Sequence, residues 1–286
     1  MILNKKLLGF QTIKESFKFV IIICFVLSSF INPAFSSERI KYYIFKDKVN
    51  LRTKPSLDSK ILTEMSIGEE VEFIEELKKE EKINGISSNW YKVHYKKLEG
   101  YIWGGMFAKA VVEDKTNQTK VLIGISSVSE PDLNSGMNDP LKNLEAKLIK
   151  NNKLISQIKF KSIDNQSLEY PSIKLEILNK KGFEPAIKLI RLGMPRNCCG
   201  CDGGDIILIL HNNKLIYGFR TLDLGEAGSW HVNSSIIFPN DKGGKQNQII
   251  VKETSTELEN ENDKTEKIKS VKYKTFEWKN GKLVQK

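Results

Sequence analysis

The chain has 286 residues, of which 40% are hydrophobic, and a formal net charge of +10. This length suits one large domain or two modest ones, and the hydrophobic content is ordinary for a soluble protein with a buried core. The charge is spread along the chain, without a block of five or six like charges and without a stripe of basic and aromatic residues. The composition therefore argues against a nucleic-acid-binding protein.

The first 36 residues have the pattern of a secretory signal peptide. Residues 19–31 form an apolar run, and Ala34 and Ser36 supply the small residues that a signal peptidase reads. Cys24 lies inside the run and follows Ile23, which disfavours a lipoprotein. The run of about 13 residues is shorter than the roughly 20 that a membrane span needs. We therefore expect cleavage, export to the periplasm or beyond the cell, and no membrane span in the mature protein.

Residues 37–112 show short strand patterns separated by turns. Apolar and polar residues alternate, which predicts strands at 40–45, 70–73, 90–95 and 101–103. The polar segment 78–89 contains Asn84-Gly85, so we expect a loop or a long hairpin connection there. Short strands joined by turns predict a small β-barrel.

Residues 113–120 have almost no apolar content, and we interpret them as a linker to a second β-rich unit, residues 121–286. Helical spacing of leucines occurs only at 141–150, and residues 129–140 are expected to form a loop. Residues 252–270 are polar and charged, which favours a disordered excursion, with a helix as the alternative. The second unit is predicted to contain strands at 121–128, 156–160, 173–178, 187–192, 206–210, 215–222, 249–252 and 271–278.

One turn pattern occurs three times in the second unit. Asn151-Asn152, Asn212-Asn213 and Asn280-Gly281 are each followed by a lysine and two apolar residues. Asn-Asn and Asn-Gly pairs tolerate the positive φ angles of tight two-residue hairpins. The copies are unevenly spaced, so we expect recurring turn chemistry and not a regular solenoid or propeller.

The front segment resembles the bacterial Src-homology-3 domain, a small extracellular β-barrel used for binding. The resemblance rests on Asn50-Leu51-Arg52, Pro55, Ser59, Leu62, Gly68-Glu69, the WYKV of 90–93 and the GYIW of 100–103. It covers about 65 residues, and it implies an attachment role more than a catalytic one. The chain departs from the pattern in the 78–89 insert and in Gly104-Gly105, so the family's ligand choice is not carried over.

Members of this family bind peptides or cell-wall fragments in aromatic-lined grooves, which directs attention to the aromatic residues of the front segment. If Val93 and Ile102 point inward, strand alternation makes their neighbours point outward. The resulting ligand-binding candidates are Trp90, Tyr101 and Trp103. Their large flat rings suit such a groove. The alternative is that these rings fill the core of the barrel.

The cluster Cys198, Cys199 and Cys201 is the most unusual part of the second unit. All three are disulfide candidates, because an exported chain meets an oxidising environment, and any single pair leaves one thiol over. The easier local link joins Cys198 and Cys201. Zinc sites commonly use two separated ligand pairs, and only one cluster is present, so we expect neither a metal nor a cofactor.

Cell-wall peptidases of the papain type often carry bacterial Src-homology-3 domains, so a catalytic alternative exists. Cys199 or Cys201 would be the nucleophile, and His211 or His231 the base. In those enzymes the nucleophile begins a helix, whereas these cysteines precede a strand-like run. We therefore assign no catalytic residue.

The sequence predicts an all-β protein, with a Src-homology-3-like barrel followed by a second β-rich domain. We expect an exported, non-catalytic binding protein of the bacterial cell envelope. The expected partner is peptidoglycan or an envelope protein or peptide.

Overall fold

The computed structural model describes residues 39–128, 142–162, 173–178, 181–183, 187–194, 203–226, 229–258 and 266–286. Within these ranges the chain forms nineteen β-strands and one short 3₁₀ turn, Gly104–Met106, so the predicted all-β fold class is confirmed. No helix in this part of the chain has the length and apolar character needed to cross a bilayer. Residues Ile40–Lys286 belong to one compact unit.

The front sheet has six strands in the order β1-β4-β5-β6-β2-β3, with antiparallel neighbours. It is built from β1 (Lys41–Tyr43), β2 (Val49–Arg52), β3 (Ile61–Met65), β4 (Glu70–Ile83), β5 (Ile86–Tyr95) and β6 (Leu98–Trp103). The sheet curls around a buried core that includes Leu51, Val71, Val93 and Ile102. This is the small barrel that the sequence predicts.

β4 and β5 continue past the barrel as a long hairpin. Their pairing runs to Ile83 opposite Ile86, with register shifts along the way. Asn84 and Gly85 close the hairpin with φ angles of 51° and 81°, the left-handed values that a two-residue turn of this kind requires. The polar segment 78–89 is therefore a hairpin connection, one of the two structures expected for it.

Three further antiparallel sheets follow in chain order. The second sheet contains β7 (Ala110–Asp114), β8 (Thr119–Val128), β9 (Lys142–Lys150) and β10 (Lys153–Lys161). The third sheet contains β11 (Lys174–Leu178), β12 (Ile187–Met194), β13 (Gly204–His211) and β14 (Lys214–Arg220). The fourth sheet contains β15 (Leu224–Glu226), β16 (Trp230–Ile237), β17 (Gln248–Leu258), β18 (Glu266–Lys279) and β19 (Lys282–Gln285). All eight strands predicted for the second unit are present.

The third sheet is buried on both faces. On one face Ile206 and Leu208 share a core with Leu144 of the second sheet. On the other face Ile207 and Ile209 share a core with residues of the fourth sheet, among them Ile249, Val251 and Phe276. Because both faces of β13 are covered, residues 206–210 are apolar without alternation.

The front barrel packs directly against the outer face of the second sheet. Phe45 and Ile67 from the barrel form a buried cluster with Leu122 of β8 and Ile149 of β9. Gly68 permits this approach, because a Cβ atom there would lie 2.9 Å from Cγ2 of Ile149. The contact places the barrel and the second sheet in one packed assembly.

The helix candidate suggested by the leucine spacing at 141–150 is wrong for the described residues, because Lys142–Lys150 is strand β9. Leu144, Ala146 and Leu148 point into the core shared with the third sheet. Glu145 and Lys147 on the opposite face are also buried. The spacing of Leu144 and Leu148 fits one face of a strand as well as one face of a helix.

Two other segments differ in local structure from what the sequence suggests. The interpretation of residues 113–120 as a linker is corrected: they form the end of β7, a four-residue turn and the start of β8, which pair with each other. Whether 37–112 and 121–286 fold as independent domains stays a prediction. In the segment 252–270, β17 continues to Leu258 and β18 begins at Glu266, so disorder is wrong for both flanks. Residues 259–265 lie outside the described residues.

The three recurring turns are confirmed as two-residue hairpins. Asn151-Asn152 joins β9 to β10, Asn212-Asn213 joins β13 to β14, and Asn280-Gly281 joins β18 to β19. All six residues have positive φ angles, between 50° and 76°. The shared motif therefore reflects the same turn geometry in three hairpins.

Candidate ligand-binding pocket

Trp90, Tyr101 and Trp103 lie together on one face of the front sheet. Trp90 and Trp103 are directly opposite each other on β5 and β6. Val93 and Ile102 belong to the barrel core, whereas both indoles belong to the core of the second and third sheets, and Tyr101 packs against that core. The alternation argument is therefore correct about the face on which these residues lie.

The expected exposure of the indoles is wrong. Trp90 is 1% exposed and Trp103 is 5% exposed, and Tyr101 is half-buried. The physical reason is that the outer face of β5 and β6 is covered by apolar residues from the long hairpin and the second sheet. The ligand-binding role of the three residues stays a prediction.

Hydrogen bonds fix the orientation of both indoles. Nε1 of Trp90 donates to Oε2 of Glu81 at 2.7 Å. Nε1 of Trp103 donates to the carbonyl oxygens of Glu81 and Ser88, each at 3.0 Å. The polar edges of both rings are thus satisfied within the long hairpin, so the ring faces are the surfaces left for packing.

Gly104 and Gly105, a departure from the family pattern, make room for the aromatic rings. A Cβ atom at Gly105 would lie 2.1 Å from two ring carbons of Trp103, and one at Gly104 would lie 2.4 Å from the ring of Tyr91. Any larger residue at either position would displace a ring. The glycine pair therefore belongs to the geometry of this face.

A cavity of about 380 Å³ opens beside the two indoles, and we call it the indole pocket. Its apolar side is formed by Ile83, Ile86, Trp90 and Trp103. The loop after β1, strand β2, the exposed Leu57 and Ser126 of the second sheet also line the pocket. This combination of apolar surface with a few polar groups is typical of a binding site, and the volume suits a short peptide or a small glycan fragment.

The charged groups of the indole pocket are mostly cationic. Lys46, Lys48 and Arg52 line it together with one carboxylate, that of Asp47. Nη1 of Arg52 also donates to the carbonyl oxygen of Ser59 at 2.8 Å, which holds the 53–60 loop against β2. The pocket lining therefore has an excess of positive charge.

Lys46 connects the pocket to a second group of charges on the second sheet. Burial of its side chain and then repulsion by Lys147 lower the pKa of Lys46, and attraction by Glu145 opposes that shift. Lys147 is itself only 8% exposed. Its Nζ lies 3.4 Å from Oε2 of Glu145, donates to the carbonyl oxygen of Phe45 at 3.3 Å and sits 4.4 Å from the Phe45 ring centroid.

A second, more polar cavity of about 520 Å³ lies along the long hairpin. Glu76 and Tyr91 are among its lining residues. Oε1 of Glu76 accepts hydrogen bonds from Nδ2 of Asn89 at 2.8 Å and from the Tyr91 hydroxyl at 2.9 Å. Because these groups satisfy one another, the indole pocket is the better candidate for a ligand.

The structure describes the two histidines of the catalytic alternative but not its cysteines. Cys198, Cys199 and Cys201 lie outside the described residues, so their disulfide and nucleophile roles stay predictions. His211 ends β13 with its ring 5.4 Å from that of Trp278, and His231 lies in β16 within hydrogen-bonding distance of Thr256. Among the residues that the structure describes, no group of three or more His, Cys, Asp or Glu side chains could hold a metal ion.

Several pocket residues were not found by sequence reasoning. Ile83 and Ile86 flank the Asn84-Gly85 turn, and two isoleucines around a hairpin turn are a signal that could have marked an apolar hairpin tip. Lys46 and Ser126 carry no comparable local signal, because they meet only through the contact between the barrel and the second sheet.

Residues 47–107 match the family described as the bacterial SH3 domain. The matched range contains the front barrel from β2 to the residue after the 3₁₀ turn, and it includes most of the residues that line the indole pocket. The resemblance inferred from the sequence is therefore confirmed for this part of the chain. A comparison with curated proteins finds no match.

Proposed function

We propose that this protein is exported and attaches to the bacterial cell envelope through the indole pocket of its front barrel, without catalysing a reaction. The ligand is peptidoglycan or an envelope peptide. The bacterial SH3 domain is a binding module that is often associated with the cell wall, and residues 47–107 match it. The leader pattern of the first 36 residues, which lie outside the described range, supports export.

The observation that carries this proposal is the position of the cavity. Most of its lining residues lie within the matched domain, and its wall combines two oriented indoles with two isoleucines. Flat and branched apolar surfaces favour the aliphatic and ring portions of peptide or glycan ligands, and the polar rim supplies partners for amides and hydroxyls.

The test uses residues 37–286 and purified cell wall, with bound and free protein separated by sedimentation. Leu57 lines the pocket and is 44% exposed, so Leu57→Ser removes apolar contact with little effect on folding. We expect binding to weaken about fivefold, as loss of about 1 kcal/mol of apolar contact predicts.

Leu62→Ser is the matched control, because Leu62 is 37% exposed and does not line the pocket. Equal weakening by both substitutions would place binding elsewhere, and no sedimentation of the unaltered protein would end the proposal. Release of soluble wall fragments that stops after thiol blocking would favour the hydrolase with a Cys-His pair. Cell fractionation tests export, and recovery of the protein in the cytosol with its leader intact would contradict it.

A further inference from the structure

The cationic groups of the indole pocket continue onto the second sheet. Lys46 lines the pocket, and its Nζ lies 5.1 Å from the centroid of the same Phe45 ring that Lys147 contacts. On the second sheet Lys159 of β10 is directly opposite Glu145 of β9 in the strand register. Lys147 thus pairs with Glu145, and Lys159 is the cross-strand neighbour of Glu145. Lys46 is close enough for Glu145 to affect it electrostatically.

This arrangement leaves positive charge without a matching negative charge. Glu145 is within ion-pair distance of Lys147, and among the described residues no ion pair to a carboxylate is found for Lys46 or Lys159. Repulsion by Lys147 and Lys159, after the larger effect of burial, lowers the pKa of Lys46. An anion bound beside Lys46 would relieve this repulsion. Its attraction to Lys46 would be stronger than in water, because the lysine is partly buried.

We infer that the ligand of the indole pocket carries an oxyanion, and that Lys46 of the barrel and Lys159 of the second sheet bind it jointly. The inference rests on the proposed function and adds the chemical class of the ligand. The apolar wall binds an aliphatic or flat group of the ligand, and the lysines bind the carboxylate or phosphate next to that group.

A role for the second sheet follows from this arrangement. Ser126 lines the pocket, and Lys159 of β10 acts electrostatically on Lys46, which also lines it. The front barrel alone would then hold the apolar part of the ligand but would lack part of the anion site. The second sheet becomes a determinant of specificity.

The test compares wall binding by residues 37–286 carrying Lys46→Met, Lys159→Met or Lys153→Met at several salt concentrations. Methionine retains most of the apolar stem and removes the charge. We expect about tenfold weaker binding for Lys46→Met and for Lys159→Met, with a smaller dependence on salt. Lys153→Met is the control, because Lys153 is exposed on the same strand and lies opposite Lys150. Lys46→Arg retains the charge and should retain most of the binding.

Two treatments of the wall distinguish the sources of the anion. Hydrofluoric acid removes phosphodiester polymers and leaves the peptide carboxylates, whereas carbodiimide amidation blocks the carboxylates. Loss of binding after either treatment supports the inference and names the source. If the unaltered protein binds equally well to both treated walls, and the three methionine variants match it at every salt concentration, the anion site is refuted while the proposed function stands. If the unaltered protein binds none of the walls, the proposed function itself fails.

Discussion

Gly124 lies directly beneath the ring of Phe45. A Cβ atom at Gly124 would be 2.5 Å from both Cδ1 and Cε1 of Phe45, a distance that real Cβ contacts do not reach. Phe45 belongs to the front barrel and Gly124 to strand β8, so this contact sets how closely the barrel approaches the second sheet. The absence of a side chain at one position therefore determines the geometry of the whole contact.

Gly124→Ala is expected to destabilise the protein. The added methyl group must displace the Phe45 ring or the β8 backbone, and such overpacking costs about 1–3 kcal/mol. The measurement is denaturant unfolding of residues 37–286. Gly193→Ala is the control, because a Cβ atom there would have its nearest neighbour at 3.4 Å, and stability should stay within about 0.5 kcal/mol. Equal losses in the two variants would contradict the importance of the Phe45 contact.

Glu81→Ala is expected to weaken the long hairpin. The substitution removes the acceptor of the Trp90 indole N–H, and the nearly complete burial of Trp90 prevents water from replacing it. An unsatisfied buried donor costs about 1–3 kcal/mol. Unfolding monitored by tryptophan emission measures the loss. Glu81→Gln keeps an acceptor and should restore most of the stability, whereas Glu80→Ala alters an exposed neighbour and should have little effect.

Asp114 should contribute pH-dependent stability. Burial raises the pKa of its carboxyl group, but hydrogen bonds from Lys188 and Asn117 outweigh burial and hold the pKa below its ordinary value of 3.8. A lowered folded-state pKa means that the contribution is fully present above the unfolded-state pKa and disappears as the pH falls through the folded-state pKa.

We therefore expect Asp114→Asn to be less stable than the unaltered protein at pH 7. The difference should shrink once the pH falls below about 3.8. Urea unfolding at a series of pH values provides the measurement. Glu64→Gln, at an exposed position, is the control. A difference between Asp114→Asn and the unaltered protein that is constant over the whole series would show that the carboxylate's charge does not matter.

Asn213→Val is expected to cost about 1–2 kcal/mol, because Asn213 has a φ of 58° and a β-branched residue is strained in that conformation. Asn213→Gly should retain stability, since glycine adopts positive φ readily. The Asn213 side chain is exposed, so neither change removes a buried contact. The measurement is the unfolding free energy of both variants. Similar stabilities for valine and glycine would contradict the strain argument.

Local patterns were sufficient to predict most strands and turns. Strand β13 was predicted at 206–210 because a run of β-branched and leucine residues is bounded by glycines and by Asn212. The Asn-Asn and Asn-Gly turns were predictable because few residues tolerate two successive positive φ angles. Each of these signals is local, because it is contained in a few consecutive residues.

Long-range contacts account for the main failures. Alternation placed Trp90 on the face opposite Val93, as the structure has it, but a strand pattern does not reveal that a distant sheet covers that face. For the same reason the pocket could not be predicted, because its lining residues Lys46 and Ser126 are far apart in the chain. At 252–258 and 266–270 the polar composition suggested disorder. These residues instead belong to β17 and β18, which are joined by backbone pairing and by ion pairs such as that of Lys274 with Glu253.

The four-residue turn at 115–118 has a mechanical consequence. A free tether of eight residues could extend about 28 Å and would let the barrel tumble. The observed β7–β8 hairpin and the close packing of Phe45 on Gly124 leave no free tether between the barrel and the second sheet. In a molecule bound through its indole pocket, the fourth sheet would therefore connect to the ligand through shared buried cores, from barrel to second sheet, from second to third and from third to fourth.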